Sequence, residues 1–233
     1  MISFTELAIG TGGVVSCARC GPATAAEPFA ADELIAHIAA LAASAEGDFN
    51  VVLGGFEPFR HPGLPALISA CAESGARRIM LRTDAGALAN PGNAEGCLAA
   101  GVRALEIELL AEGALHDALA ARVGLGAAAS AGTAAFRVAA ASAGVDVAVF
   151  GVLQACRHNA GELASTIAAF AQLGAAAVRI ECGRLPNTPA NAAALAAAVH
   201  TGAVNRVAVS VAGYAGNLPA LADLAAYQLV GGA

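Results

Sequence analysis

Two cysteines three residues apart, Cys17 and Cys20, form the first candidate chemical site of this 233-residue chain. Thiolates at C-x-x-C spacing can bind one metal ion, because the two residues between them turn the chain back on itself. The same pair is also compatible with redox chemistry or with unreactive loop thiols. A single C-x-x-C supplies only part of the ligand set that zinc or an iron–sulfur cluster requires. The motif therefore predicts an incomplete metal site, and the redox and unreactive interpretations stay open.

Glu57, within the sequence GGFEP, is the leading candidate for binding a small molecule. The adjacent proline fixes the backbone, and a carboxylate held in this way can accept hydrogen bonds from an ammonium group. The alternative is a loop carboxylate that pairs with Arg60 or with another arginine at a strand end. Thr83 and Glu108 lie at the ends of the next two apolar segments, on the face where we expect the strand-end residues to converge.

Short apolar segments alternate along the chain with alanine- and leucine-rich stretches, in which residues such as Leu163, Ile167 and Phe170 recur at helical spacing. The apolar segments are nearly continuous, which is typical of parallel strands that are covered on both faces. This alternation predicts an α/β protein whose ligands bind at the carboxyl ends of the strands. The predicted strands cover residues 7–9, 50–54, 78–82, 104–109, 146–153, 177–181 and 206–211.

Two local signals mark helix starts. Asn159 precedes Glu162 by three residues, which is a capping-box arrangement. Thr188 before Pro189 predicts an N-cap followed by the first helical residue.

Four further cysteines are expected to pack in the interior. Cys71 and Cys97 lie in helical patterns, where a buried free cysteine behaves as a small apolar residue. Cys156 and Cys182 lie at the ends of predicted strands, where we expect them to pack beneath the loops.

The composition excludes several classes of protein. Hydrophobic residues make up 58% of the chain and charged residues 13%, so the chain is too apolar to be disordered. A net charge of −6 without a basic cluster argues against nucleic-acid binding and against a polybasic membrane anchor. Charges, Gly or Pro interrupt every long apolar stretch, and the N-terminus lacks the positive region of a signal peptide. We therefore expect a cytoplasmic protein whose six cysteines are reduced thiols, metal ligands or core residues rather than disulfides.

The order of these motifs resembles the radical S-adenosylmethionine (SAM) superfamily. The sequence GGFEPFRHPG is similar to that family's Gly-Gly-Glu-Pro strand end and the His-Pro turn after it, and residues 83–85 stand where the family has Thr-Asn-Gly. Residues 144–181 are similar to its fifth and sixth strand–helix units. The resemblance implies an α/β fold with a partial (β/α)6 TIM-like barrel of the radical SAM type. It implies a single domain over residues 1–233, in which residues from about 186 to 233 form a C-terminal extension that packs on the barrel.

The cluster motif of that family is incomplete in this chain. The family binds a [4Fe–4S] cluster with three cysteines at C-x-x-x-C-x-x-C spacing. Cys17 and Cys20 match the second and third positions, and Gly13 stands at the first. The resemblance therefore implies a vestigial or incomplete metal site at these two cysteines, in which a cluster would be labile.

A SAM-type pocket is partly retained. Glu57 matches the family carboxylate that binds the amino group of SAM, and Glu108 stands at the position that contacts the ribose. Thr83 completes this residual cofactor pocket. Phe56 replaces the second glycine of the family motif, where its ring would occupy space that the methionine moiety of SAM needs.

The resemblance and its departures lead to three functional hypotheses. The main one is a pseudoenzyme, a non-catalytic accessory subunit without a cofactor that forms a heterodimer with an active radical SAM enzyme, or binds its peptide substrate, in natural product biosynthesis. The first alternative is an active radical SAM enzyme that binds SAM and a [4Fe–4S] cluster, with Cys156, Cys182 or a partner chain supplying the third ligand. The second alternative is a small-molecule binder or non-redox enzyme that uses Glu57, Glu108 and strand-end arginines in the vacated pocket. The sequence assigns no catalytic residue.

Overall fold

The structure, a computed structural model, describes residues 4–20, 25–90 and 92–214 of the chain. Seven strands alternate with helices, and the strands follow one another in chain order in a parallel sheet. This arrangement confirms the predicted parallel α/β class. The strands are β1 (Thr5–Gly13), β2 (Asn50–Phe56), β3 (Arg78–Thr83), β4 (Val102–Leu109), β5 (Ala148–Cys156), β6 (Ala177–Arg184) and β7 (Ala208–Ala212). The helices are α1 (Ala31–Ser44), α2 (Leu64–Glu73), α3 (Asn93–Ala99), α4 (Gly113–Ala120), α5 (Leu125–Ala143), α6 (Leu163–Gln172) and α7 (Pro189–Val204), with short 3₁₀ helices at Pro58–Arg60, Gly86–Ala89 and Ala160–Glu162.

The chain forms two compact units, and each brings together segments that are distant in sequence. Unit 1 consists of Met1–Ser16, Ala23–Ile107 and Ala128–Ala148. Unit 2 consists of Cys17–Pro22, Glu108–Ala127 and Val149–Ala233. The C-x-x-C motif therefore belongs to the same unit as β5 and β6, although it follows β1 in the sequence.

Unit 1 has a core of fully buried β2 and β3 side chains. Val51 is paired in register with Ile79, and Leu53 with Leu81. Apolar residues on adjacent parallel strands bury both faces of the sheet, as the near-continuous apolar runs predict. This register places the carboxyl ends of β2 and β3, and the loops after them, side by side.

Unit 2 is organised around β5. Its Gly151 lies so close to helix α6 that a Cβ atom there would lie 2.6 Å from the ring of Phe170. The register with β6 pairs Gln154 with Glu181 and Cys156 with Arg184. Polar and thiol-bearing residues of two neighbouring strands therefore meet at the carboxyl ends of β5 and β6.

All seven predicted strands are present, but most of them extend further than predicted at the carboxyl end. Strand β5 continues to Cys156 instead of residue 153, and β6 continues to Arg184 instead of residue 181. The predicted strands end close to the last apolar residue of each run. Backbone pairing between β5 and β6 continues beyond that point, through polar residues such as Gln154 and Glu181. Gln154, Cys156 and Glu181 are therefore strand residues rather than loop residues.

One of the two predicted helix caps is confirmed and the other is wrong. The Oγ1 atom of Thr188 accepts a hydrogen bond of 3.2 Å from the backbone N–H of Asn191, as an N-cap should. Asn159 makes no side-chain cap bond to the helix that begins after it. Its side chain instead hydrogen-bonds to backbone groups outside that helix.

Of the predicted C-terminal extension, the structure describes the part up to residue 214, which contains α7 and β7, and residues 215–233 lie outside the described part. Among the described helices, none alone has the length and apolar composition needed to cross a membrane, although α4 and α5 meet that test when taken together.

Candidate three-cysteine site

Three cysteine sulfur atoms lie together in unit 2. The Sγ atoms of Cys17, Cys20 and Cys156 all lie within 4.8 Å of one another. Cys17 and Cys20 are joined as a disulfide, so the expectation that no disulfide forms is wrong for this pair. The reason is local, because a backbone hydrogen bond from the Cys20 N–H to the Cys17 carbonyl closes the turn and brings the two Cα atoms to 5.4 Å.

Contacts with two segments position the C-x-x-C turn within unit 2. The backbone N–H of Ala18 donates to the carbonyl of Leu119 in α4, at 2.7 Å. The Nε2 atom of His158 accepts a hydrogen bond of 3.0 Å from the Arg157 Nε–H and lies 3.2 Å from the carbonyl oxygen of Arg19. The turn is therefore attached both to α4 and to the segment that follows Cys156.

Asn159 holds Cys156 in place. Its Oδ1 atom accepts a hydrogen bond of 2.7 Å from the Cys156 N–H, and its Nδ2 atom donates to the carbonyls of Gln154 and Leu110. The residue is only 1% exposed, so these hydrogen bonds form away from solvent. A buried polar group without a partner there would lower the stability of the fold. The sequence did not reveal this role of Asn159. Its only signal was an asparagine, a residue common in turns, three positions after a cysteine.

The three cysteines open onto a cavity of about 240 Å³. Glu181 in its wall forms an ion pair of 3.1 Å with Arg179, and Arg184 adds a cationic side chain at the exposed end of β6. The wall therefore combines soft sulfur ligands with side chains of both charges. The lining residues are Cys17, Cys20, Gln154, Ala155, Cys156, Glu181, Gly183 and Arg184.

Cys182, the other predicted strand-end thiol, is outside this group. Its Sγ atom lies 4.0 Å from the carbonyl oxygen of Ile180. Burial, and secondly the charge of Glu181, raises the pKa of this thiol to about 12, so it stays protonated at neutral pH. It packs in the interior, as predicted.

Glu108 lies beside the cavity through its neighbour Gln154. It is 3% exposed, and its Oε1 atom accepts a hydrogen bond from the Gln154 side-chain amide. Gln154 in turn lines the cavity. The carboxylate therefore orients a cavity residue in the structure.

Glu57 lies in unit 1 and binds the end of β3. Its Oε1 atom accepts a hydrogen bond of 2.7 Å from the Thr83 hydroxyl and one of 3.2 Å from the Phe59 N–H. Its Oε2 atom accepts a bond of 2.8 Å from the Asp84 N–H. The alternative partner, Arg60, instead has its guanidinium 5.7 Å from the centre of the Phe56 ring.

The environment of Glu57 favours its neutral form. The side chain is buried, with the residue 4% exposed. This burial, and secondly the negative charge of Asp84, raises the pKa of the Glu57 carboxyl from its usual value near 4.5 to about 7. The structure brings together two of the predicted cofactor-binding residues, Glu57 and Thr83. Their side chains are hydrogen-bonded to each other.

Comparison with known proteins shows similarity in structure only. No protein-family model matches the sequence, and no curated protein is similar to it in sequence. SuiB from Streptococcus suis, solved with SAM, is 12% identical over 88% of this chain and 46% of its own, with a TM-score of 0.61. Methylornithine synthase (PylB) is 10% identical over 89% of this chain and 64% of its own, with a TM-score of 0.58. Both are radical SAM enzymes. The fold of the chain is of the radical SAM barrel type.

The likeness concerns the fold alone, because every identity is low. A putative phosphonomutase from Burkholderia cenocepacia, 20% identical over 82% of this chain and 79% of its own, also matches with a TM-score of 0.50. The chain spans 46% of the length of SuiB in the SAM-bound structure. The predicted fold is thus confirmed, whereas activity has to be argued from the residues of the site.

Proposed function

We propose that this chain is a radical SAM-like protein that binds an iron–sulfur cluster through Cys17, Cys20 and Cys156. The observation that carries the proposal is the approach of the three sulfur atoms to within 4.8 Å of one another. In this assignment Cys156, at the end of β5, supplies the thiolate that is missing at Gly13. The expectation of a chain without a cofactor rested on a site of only two thiols.

The residues present fit such a group in number and chemistry. Three thiolates are the protein ligand set of a [4Fe–4S] cluster that keeps one iron open to another ligand, and such a cluster supplies one-electron transfer. The Cys17–Cys20 disulfide must first be reduced, because only thiolates bind iron. Asn159 fixes the backbone of the third ligand, and the adjoining cavity of about 240 Å³ provides space beside the sulfur atoms.

A second candidate is the non-catalytic accessory subunit. The observation in its favour is that the residual SAM-type residues are already engaged: Glu57 with Thr83 and Asp84, and Glu108 with Gln154. A carboxylate that already accepts three hydrogen bonds has little capacity left for the amino group of SAM. SuiB has been crystallised with its precursor peptide SuiA, which supports a peptide as the partner of this chain.

The first experiment is anaerobic reconstitution of the reduced chain with iron and sulfide, followed by iron counting and electron paramagnetic resonance. We expect stoichiometric iron in the native chain and in Cys182→Ala, and a strong loss in Cys156→Ala. Cys182→Ala is the matched control, because it also removes a buried thiol from the end of a strand. A colourless native chain without bound iron would contradict the proposal.

A second experiment separates the two candidates. Titration of the reconstituted chain with SAM measures whether the open iron is used, and co-purification with a radical SAM enzyme measures partner binding. A lack of SAM binding, together with a stable heterodimer, supports the accessory subunit. The single-domain organisation and the cytoplasmic location stay predictions.

A further inference from the structure

Three arginines of unit 2 lie next to the cysteine group, two as sequence neighbours of the cysteines and one in the cavity wall, and we call them the arginine rim: Arg19, Arg157 and Arg184. Arg19 lies between the two cysteines of the turn, Arg157 directly follows Cys156, and Arg184 lines the cavity. All three residues are exposed, and none of them forms an ion pair with a carboxylate in the part of the chain that the structure describes. Cationic side chains of this kind attract an anionic ligand.

The three cysteine residues differ in their exposure. Cys17 and Cys156 are buried, at 7% and 4% exposure, whereas Cys20 is half-buried. Cys20 is therefore the more exposed of the two residues that the disulfide joins. Such an accessible disulfide is open to attack by an external thiolate.

We propose that the Cys17–Cys20 disulfide undergoes thiol–disulfide exchange with a small thiol that carries a carboxylate, which the arginine rim selects. This activity uses two of the three thiols of the proposed cluster site, but it requires no iron. It also sets the condition for metal binding, because the disulfide form has only one free thiol, on Cys156, in this group.

The external thiol is the reductant in this exchange and supplies both electrons. Its thiolate attacks Sγ of Cys20, a mixed disulfide forms, and the disulfide bond breaks with Cys17 leaving as the thiolate. A second molecule of the external thiol then attacks the sulfur of the first, which releases the oxidised small disulfide and the Cys20 thiolate. Two electrons thus pass from two external thiols to the protein disulfide, and the two protons released by those thiols convert Cys17 and Cys20 to thiols.

Three probes of similar size test the charge selection on the full chain without metal: thioglycolate, which is anionic, 2-mercaptoethanol, which is neutral, and cysteamine, which is cationic. Each reduction rate is divided by the rate of the same thiol with the neutral disulfide of 2-mercaptoethanol, which removes differences in intrinsic reactivity. Thioglycolate should be favoured over 2-mercaptoethanol about five-fold, and cysteamine should be disfavoured, as expected for unit charges about 4 Å apart that interact through water. Alkylation of the released thiols and mass spectrometry should identify Cys17 and Cys20.

Variants of exposed arginines assign the selectivity. Arg184→Ala should reduce the preference for thioglycolate to about two-fold or less, and Arg184→Lys should keep most of it. Arg78→Ala, at the opposite end of a strand, is the matched control and should change nothing. Equal normalised rates for the three thiols, or release of thiols other than Cys17 and Cys20, would overturn the proposal. A chain that shows the charge preference but binds no iron would keep this inference and remove the proposed cluster.

Discussion

The Oδ1 atom of Asn159 accepts a hydrogen bond from the backbone N–H of Cys156, at 2.7 Å. The same side chain donates to the carbonyl of Leu110, the residue after β4, and to that of Gln154 in β5. One buried amide therefore ties the cysteine at the end of β5 to a neighbouring segment of unit 2. This makes Asn159 a positioning residue for the three-cysteine site.

We expect Asn159→Ala to weaken iron binding by about 10- to 100-fold, as is typical when an outer hydrogen-bond partner of a metal ligand is lost. It should also lower the free energy of unfolding by about 1–3 kcal/mol, because buried backbone groups lose their partner. Titration of Fe²⁺ against a competing chelator and thermal unfolding measure the two effects. Asn205→Ala, which removes an exposed side-chain bond, is the control. A variant that is less stable but binds iron normally would limit Asn159 to a structural role.

The stability of the chain should depend on the protonation of Glu57. Its pKa is raised to about 7 in the folded chain, against about 4.5 usually, so between these pH values the folded state binds more protons than the unfolded state. Stability is therefore highest below pH 4.5 as far as this group is concerned, and falls as pH rises to 7 by up to about 3 kcal/mol. Urea unfolding at several pH values measures this slope.

Glu57→Gln should flatten that slope, because the amide does not titrate. Glu73→Gln, at an exposed position, should leave it unchanged. If the slope persists in Glu57→Gln, another group is responsible for it.

Introducing a cysteine at residue 13, where the first cysteine of the radical SAM motif would stand, should not improve the site. Gly13 has φ +73, a left-handed conformation that costs about 1–3 kcal/mol for most other residues. We expect Gly13→Cys to be destabilised by that amount and to bind no more iron than the native chain, since Cys156 supplies the third thiolate in the proposed site. Gly13→Asn is the control, because asparagine tolerates this backbone conformation better. Iron binding by Cys156→Ala that is restored when Gly13→Cys is added would show that the third ligand position belongs to residue 13.

The absence of a side chain at Gly151 should be required for β5 to pack against α6 as observed. A Cβ atom there would come within 2.6 Å of the Phe170 ring, so Gly151→Ala forces α6 or β5 to move. We expect a loss of about 1–3 kcal/mol in the free energy of unfolding, which is typical of an overpacked core. The double variant Gly151→Ala with Phe170→Leu should recover part of this loss. Calorimetry of the native chain and both variants tests this, and an unaffected single variant would contradict it.

The sequence predicts the strands well because each is a continuous apolar run, and runs of that kind depend only on burial. It also identifies Glu57 through its local motif. Its partners at residues 83 and 84 lie at the end of another strand and directly after it, so the hydrogen bonds that occupy the carboxylate were not visible in the motif. Whether the Glu57 carboxylate was free to bind an amino group therefore depended on the register of β2 and β3, which the motif does not give.

The three-cysteine site was only half predictable. The C-x-x-C spacing revealed Cys17 and Cys20, whereas Cys156 had the appearance of any strand-end residue packed under a loop. Its inclusion depends on where the turn and β5 meet within unit 2, which no local pattern encodes. The disulfide was missed for a different reason, since the expectation rested on cell compartment rather than on the geometry of the turn.

The division of the site among distant segments imposes an order of events during synthesis of the chain. The thiols at residues 17 and 20 leave the ribosome long before the one at residue 156, and they can be oxidised as a pair during that interval. The complete set of three sulfur atoms exists only after β5 has been made and has docked within unit 2. A bound metal at this place would therefore report that the second half of the polypeptide has folded.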